Sequence, residues 1–587
     1  MKKSIFSFGY ATLLVASVSF SVLFTSCGDK DDVPGPEPDP GIDPVEIITT
    51  EVLKTNAEAF ALGNSVFPPL TRLSSSFSFM IELATDNTIS FEGPEDRGAP
   101  VISRFEHAPK TGFDVPHDYP DKVFSRLFES IGNANITIEK LDSSRVTDRL
   151  ALETKELVAA RVKFTRALSY HYLVQLYGEV PLQLSQKEAS ATTRTPVDDI
   201  YTQIVKDLTE AEAALPEYDS NKSTPTKGAA NAILARVYLS WAGKPLTQSD
   251  LSAIAGSTDD PAAPQWDNEK LTKAVEYADK VINSGNYELL ADFNSLWGIP
   301  GQDSREHVYT IHHEGDPTDG NNNGQSNHQT HCTFTNRFTN PYADFHIGPA
   351  DETLLSQYDD ADRRKIITYA TTLYDSEDGN REYAFAFPVT SPIYGKWIHR
   401  AGYATTSTTA TPPSIYRVGG SAAAQPNNID RIEVRYAELL LIKAEALLWQ
   451  GKAGEALPLV NLIRSRAGVQ ALSSLTKEDL FNEWDLELRF EQKRWTNLVR
   501  WRTLISTVKS VSDYEYFKEG YKDEESVLLT AANRGITDPE TVNAPFYAKA
   551  YKHLHAKYDN VRAKHYRFPI PQLSGIDLGI TPQNPGY

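Results

Sequence analysis

Apolar residues recur at three- and four-residue steps through much of the chain, which is the period of helices that bury one face. Between Glu156 and Tyr177 the pattern runs through Val162, Leu168, Tyr172 and Leu176, and Gly178 with Pro181 stops it. A second helix is expected from a cap at Asp198 or Asp199, with Ile200, Ile204, Leu208, Ala211 and Leu215 on one face and Pro216 at its end. Lys227 to Trp241 is rich in alanine and closes at Gly243-Lys244-Pro245; Leu271 to Ile282 repeats the pattern and stops at Gly285. Val434 to Trp449 and Gly454 to Ala467 form a later pair, split by Gly451. Small residues stand where paired helices must approach closely, as in tetratricopeptide-type repeats. The irregular spacing predicts repeat-like packing without a tandem array.

Two stretches lack any helical period. Thr318 to Pro349 and Ala401 to Asn428 are rich in Asn, Gly, Thr and Pro. Loops of that length in a compact body are usually functional or disordered, and binding residues concentrate on loops held by a rigid scaffold. The body thus divides into a part rich in helix pairs at about 47–285, a loop-rich ligand part at about 286–430, and C-terminal helices with a tail at 431–587.

The first thirty residues follow another logic. Met1-Lys2-Lys3 is basic and Ile5 to Phe24 is apolar without a charge, as in a secretory signal. A membrane-spanning anchor is the alternative reading of that stretch. Leu23-Phe24-Thr25-Ser26-Cys27 decides between them, because it resembles a bacterial lipobox cut before Cys27. Residues 1–26 then form the signal peptide. Cys27 carries several acyl chains, which hold a protein at a bilayer stably where one chain does not. Residues 27–46 are acidic and rich in proline, an extended tether of about 3 Å per residue. Lys30-Asp31-Asp32 resembles the surface-export signal of Bacteroidetes lipoproteins.

Composition narrows the partners. The 587 residues are 40% hydrophobic, enough for a large core, and their net charge of −20 opposes nucleic acid as a ligand. Of two cysteines, Cys27 is committed to lipid, so Cys332 has no disulfide partner within the chain.

Five segments carry a family resemblance. Phe164-Thr165-Arg166-Ala167-Leu168-Ser169-Tyr170 runs into Leu176-Tyr177-Gly178-Glu179-Val180-Pro181-Leu182, and Thr226-Lys227-Gly228-Ala229-Ala230 leads to Leu234-Ala235-Arg236-Val237-Tyr238-Leu239. Arg435-Tyr436-Ala437-Glu438-Leu439 continues to Ala444-Glu445-Ala446 and to Asn461, Arg464, Arg466 and Gly468. Leu488-Arg489-Phe490-Glu491 meets Arg494-Trp495 and Arg500-Trp501; the end reads Phe568-Pro569-Ile570-Pro571 and then Gln583-Asn584-Pro585-Gly586-Tyr587. In this order, behind a lipobox, the segments resemble the SusD/RagB family of outer-membrane lipoproteins over roughly residues 45–587. One departure is Asn497, where the family usually has Asp, which loses a charge and keeps an acceptor.

The resemblance implies an all-α fold, tetratricopeptide-like helix pairs forming a scaffold with long irregular loops carrying the ligand site. It implies a lid on a SusC-like, TonB-dependent transporter, capturing oligosaccharide outside the cell and passing it inward without cleaving it. It implies an outer-membrane location, held by lipid and facing the exterior. Peptide capture, or a protein–protein adaptor with no small ligand, are the alternatives. The motif residues themselves read as structural. Arg435, Glu438, Arg464, Arg466, Glu491 and Arg494 are expected in buried or half-buried ion pairs, Trp495 and Trp501 between helices, and the last five residues docked on the body.

Sugar sites need aromatic planes and a few fixed polar side chains. The first candidate loop runs from Ala84 to Tyr119, with Asp86, Asn87, Phe105 and Phe113. The second runs from Asn327 to His346, with Phe334, Asn336, Arg337, Phe338 and Tyr342. Asp319 to Gly324 opens like a calcium loop, but position twelve is Thr330 where a bidentate Glu belongs. His328, His331 and Cys332 have zinc-compatible spacing without an evident fourth ligand. No cofactor or metal is therefore expected, with a structural calcium as the one open alternative. Asp359 to Arg364 reads as a solvated charge run at a helix end. No nucleophile elbow, HExxH or phosphate loop is present, so an enzyme is not expected.

Overall fold

The computed structural model describes residues 52–90, 98–107, 119–187, 190–298, 301–313, 357–370, 430–511 and 555–587. Short stretches at 347–349, 372–375, 382–384, 393–394, 396, 416–418, 523–525, 528 and 532 are also described. Within this part the main helices are α1 (Asn56–Asn64), α2 (Phe67–Leu83), α3 (Tyr119–Ser143), α4 (Leu152–Tyr177), α5 (Val197–Ala214), α6 (Lys227–Ala242) and α7 (Asn268–Ile282). They continue with α8 (Tyr436–Trp449), α9 (Ala453–Ala467), α10 (Lys477–Leu488) and α11 (Arg494–Trp501). From α2 onward each helix packs against the next, up to α9.

The sequence shows why these helices stack. α6 buries Ala229, Ala230, Ala232 and Ala235, whose small side chains let α5 and α7 come close. Thr226 caps α6 by accepting from Ala229 N–H, and Asp267 caps α7 by accepting from Glu269 and Lys270. α5 starts differently from the expectation. Its cap is Pro196, which sets φ but offers no side-chain acceptor. Asp198 and Asp199 lie in the first turn, where their charge suits the helix dipole, and Asp198 accepts from the Trp241 indole at 2.6 Å. α4 stops at Gly178, whose φ of +76° suits glycine. The place of a Cβ there is taken by the Arg567 guanidinium.

α8 packs directly on α7, although the chain between them runs from Asn283 to Arg435. That long segment is thus an insertion into a continuous helical stack. Two strands close its neck. Counting β1 (Thr88–Ser90), β2 (His307–Ile311), β3 (Ile347–Pro349) and β4 (Arg431–Arg435), β2 and β4 pair antiparallel, with His307 opposite Arg435 and Ile311 opposite Arg431. Both strands are buried throughout. Val434 and Arg435, expected in a helix, belong to β4 because a ladder partner more than a hundred residues earlier claims their backbone. The helix begins at Tyr436.

One large apolar core runs through α2 to α11 and the C-terminal segment, and includes Trp495 and Trp501. The tail docks as expected. Asn584 Nδ2 donates to Tyr177 O at 3.0 Å and to Phe568 O at 2.7 Å, Gln583 exchanges two bonds with Ile570, and Tyr587 OH donates to Arg567 O at 2.8 Å.

Candidate functional site

The neck of the insertion is built from charge. Arg435, the last residue of β4, donates from Nε to Glu491 at 2.7 Å and from Nη1 to Glu306 at 2.8 Å and Glu487 at 2.5 Å. Arg466 on α9 reaches Glu306 at 3.0 Å and also pairs with Glu487. Arg364 adds Glu483 at 2.6 Å and Glu487 at 3.2 Å, and Lys396 adds Glu491 at 2.7 Å. All are buried. Burial alone would push the Glu487 carboxyl up, but the Arg466, Arg435 and Arg364 guanidinium groups hold it well below the usual range. On the other side of β4, Glu433 takes Arg236 at 2.5 Å and the Tyr172 hydroxyl, and Arg236 also grips Glu438 at 2.7 Å. Glu433 is held down at about 2: burial opposes this, and Lys493, Arg236 and Arg431 prevail.

The charge run at Asp359–Arg364 is corrected by this network. Asp359 and Ala361 are exposed, but Asp362 and Arg364 point inward and pair at 2.7 Å, so alternate residues of the run belong to the core. Next to the β2–β4 ladder, Asp430 accepts from His313 N–H at 3.0 Å and lies 2.9 Å from His312 Nδ1. The insertion is thereby fixed at entry and exit by the same carboxylate.

A second pairing joins the bases of the two candidate loops. β1 pairs antiparallel with β3, Thr88 opposite Pro349 and Ser90 opposite Ile347. β1 directly follows Asp86 and Asn87, and β3 directly follows His346, where the second loop ends. Lys557 locks the corner, donating to Leu83 O and Thr88 O at 2.8 Å each. Burial pulls its ammonium down to about 7.

The structure moves three of the expected ligand residues into the scaffold. Asp86 accepts both arms of Arg494, at 2.9 and 2.8 Å, and Asn87 donates to Asp485 at 2.6 Å. Both are buried, the Asp86 carboxylate held by α11 and the Asn87 Nδ2 by α10. Phe105 is 2% exposed and packs on His565 with ring centroids 4.9 Å apart, beside His107 and Tyr587. These side chains support the loop base and offer no open plane. Phe113, Phe334, Asn336, Arg337, Phe338 and Tyr342 lie outside the described residues, as do Cys27, the Asp319–Gly324 segment and His328, His331 and Cys332. Among the described residues no three His, Cys, Asp or Glu side chains gather as metal ligands would.

The ion-pair motifs stand where sequence reasoning put them. Arg435, Glu438, Arg466, Glu491 and Arg494 are buried and paired, and Arg464 reaches Glu483 at 3.1 Å from a half-exposed position. Sequence reasoning missed the partners Glu306, Glu433 and Glu487. Glu433 between Ile432 and Val434 and Glu487 between Leu486 and Leu488 carried the signal of an acidic residue alternating with apolar ones, whereas Glu306 between Arg305 and His307 carried none; all three are buried.

Comparison with known proteins agrees with this architecture. The sequence profile described as "SusD family" matches residues 295–587, and one described as "Starch-binding associating with outer membrane" matches residues 102–239. A SusD-like protein of Formosa agariphila is 27% identical over 58% of this chain and 65% of its own length, so the chain spans just under two thirds of that relative. The starch-binding protein SusD of Bacteroides thetaiotaomicron is 25% identical over 74% of this chain and 78% of its own length. Among solved structures, surface glycan-binding protein A of Bacteroides thetaiotaomicron in complex with laminarihexaose superposes with a TM-score of 0.61 at 17% identity, covering 90% of this chain and 100% of that one. The helical, tetratricopeptide-like scaffold is shared.

Proposed function

Because this chain belongs to the SusD family, we propose that it is a glycan-binding lipoprotein of the outer-membrane surface. It captures oligosaccharide or polysaccharide and delivers it to a SusC-like, TonB-dependent transporter. The observation that carries this reading is the extent of the likeness to a starch-binding relative, about three quarters of both chains, at 25% identity. The architecture supports it. A stack of helices is interrupted once by a long insertion whose neck is held by buried ion pairs, and rigid scaffolds that present loops are suited to binding.

The role is binding without cleavage. The carboxylates at the neck are each engaged by guanidinium or ammonium groups, which suits positioning and leaves none of them poised as a general acid. Phe334, Phe338 and Tyr342 supply stacking planes for sugar rings, and Asn336 and Arg337 supply hydrogen bonds. Phe113 joins them from the first loop, whose base β1 shares with β3. Cys27 carries the lipid that keeps the protein at the membrane.

Calorimetry with a panel of neutral polysaccharides, starch, laminarin and xyloglucan among them, tests the reading. Saturable binding to at least one is expected. Changing Phe334, Phe338 and Tyr342 together to Ala is expected to weaken it by about 2 kcal/mol or more while leaving the melting temperature unchanged. Binding to none of the panel would remove the glycan reading, and full retention by the triple variant would move the site off the second loop. Co-purification of a large TonB-dependent barrel with the lipidated protein tests the partner.

A further inference from the structure

On the helical side of the molecule an open pocket lies between the end of α4, the end of α6, α11 and the C-terminal segment. It encloses about 530 Å³, its mouth included. Aromatic walls come from Tyr201, Trp495 and Tyr566, and three guanidinium groups come from Arg500, Arg502 and Arg567. The three guanidinium groups are not equally engaged. Arg500 is neutralised by Glu445 through two bonds of 2.9 and 2.7 Å. Arg567 pairs with Glu179 at 2.6 Å and donates to Leu246 O and Tyr177 O. Arg502 gives Nη2 to Lys244 O at 2.7 Å and has no ion-pair partner among the described residues. Asp250 acts on it only from beyond ion-pair distance. Arg502 is thus the pocket cation left without a carboxylate in contact, in a partly enclosed space where water screens it poorly.

Two further observations point to a ligand. Trp495 is 1% exposed and lines the pocket, yet its indole N–H has no hydrogen-bond partner among the described residues. A buried donor left unsatisfied is costly and calls for an explanation. Arg502, at the end of α11, is held in the left-handed conformation with φ +59° and ψ +48°, where glycine is the usual residue. A long cationic side chain has been placed where the backbone favours none, and it lines the pocket.

We propose that this pocket is a second ligand site, taking a small carboxylate-bearing ligand the size of one sugar acid. Its carboxylate would be read by Arg502, and its ring would lie against the aromatic walls. The proposal stands independently of the glycan reading, since none of its residues belongs to the candidate loops.

The test is calorimetry on the full chain with sodium glucuronate, with glucose as the neutral control and sodium sulfate as a competitor. Glucuronate is expected to bind saturably at millimolar concentration and glucose is not. Arg502→Gly relieves the left-handed strain, so it should melt no lower than the parent while losing about tenfold or more in glucuronate affinity. Arg502→Asn, which also tolerates this backbone, should behave alike. Competition by sulfate would show that the anionic group alone is recognised, and its failure that the ring is needed as well; either supports the site. Absence of saturable glucuronate binding, equal binding of glucose, or unchanged affinity in both Arg502 variants would overturn it. Loss of neutral polysaccharide binding at the loops with glucuronate binding intact would count against the glycan reading alone.

Discussion

Glu82 sits at the end of α2 with its carboxyl enclosed. Oε1 accepts from Gln492 N–H at 2.7 Å and Oε2 has no partner among the described residues. Burial drives its pKa from the ordinary 4.5 up to about 7, against the pull of the Gln492 bond. The folded state therefore holds this proton more tightly than the unfolded chain. Its contribution to stability is full below pH 4.5 and is lost as pH rises through about 7. Glu82→Gln keeps an acceptor for Gln492 and removes the titration. Urea unfolding at several pH values should show the parent losing stability between pH 4.5 and 7 and the variant losing less over that interval. Lys557 acts in the other direction. Pulled down to about 7 by burial, it adds stability as pH rises from about 7 towards its ordinary 10.5, so the comparison belongs below pH 7. Neither group was legible in the sequence. Glu82 stands in a helix of apolar and serine residues, and its burial is set by Gln492, four hundred positions away. Gly178 shows the same limit from the opposite side. Its role as a helix stop could be read directly, whereas the Arg567 guanidinium that forbids a side chain there could not.

The strand pair at the neck is where charge and backbone meet. β4 ends in Arg435, which serves Glu306, Glu487 and Glu491 at once, so removing it takes one cation from three buried carboxylates and leaves them to Arg466, Arg364 and Lys396. Arg435→Met should cost about 3–5 kcal/mol, the usual effect of breaking a buried pair from one side. By contrast Lys273→Met, which removes an exposed partner of Glu276 on α7, should stay within about 0.5 kcal/mol. Chemical denaturation of both variants checks the contrast, and equal losses would contradict the structural role given to the neck. The helix boundaries show what periodicity can and cannot decide. α4, α6, α7 and α9 begin and end within a few residues of the expected positions, because caps and apolar stripes are local signals. Val434 and Arg435 were assigned to a helix because they precede an apolar run. The alternation Arg431-Ile432-Glu433-Val434-Arg435 is a local strand signal, but its partner β2 is set by a long-range pairing that periodicity does not show. Asp86 and Asn87 failed as ligand residues for a similar reason: short polar side chains at a helix end look solvent-facing until Arg494 and Asp485 close over them.

The outermost residues of the fold hold distant parts of it together. Asn584 bonds the end of α4 through Tyr177 O and the C-terminal segment through Phe568 O, and its Oδ1 accepts from Arg194 at 2.5 Å. Tyr587 stacks near-parallel on His107 with centroids 5.8 Å apart, next to Phe105 at the base of the first candidate loop. Removing the Asn584 side chain takes a donor from two buried carbonyls and an acceptor from Arg194, which keeps Glu179 O, Pro582 O and Tyr177 O, so the loss is about 1–3 kcal/mol. The candidate loops are fixed by other means, the β1–β3 pair with Lys557 and the β2–β4 ladder with its ion pairs, and none of these passes through Asn584. Asn584→Ala should therefore lower the urea midpoint while polysaccharide affinity at 25 °C stays within about twofold, since distant sites without shared partners act additively. Affinity falling in step with stability would mean that the tail and the loops form one cooperative unit. In that case the glycan-binding face would extend to the end of the chain that docks Tyr587.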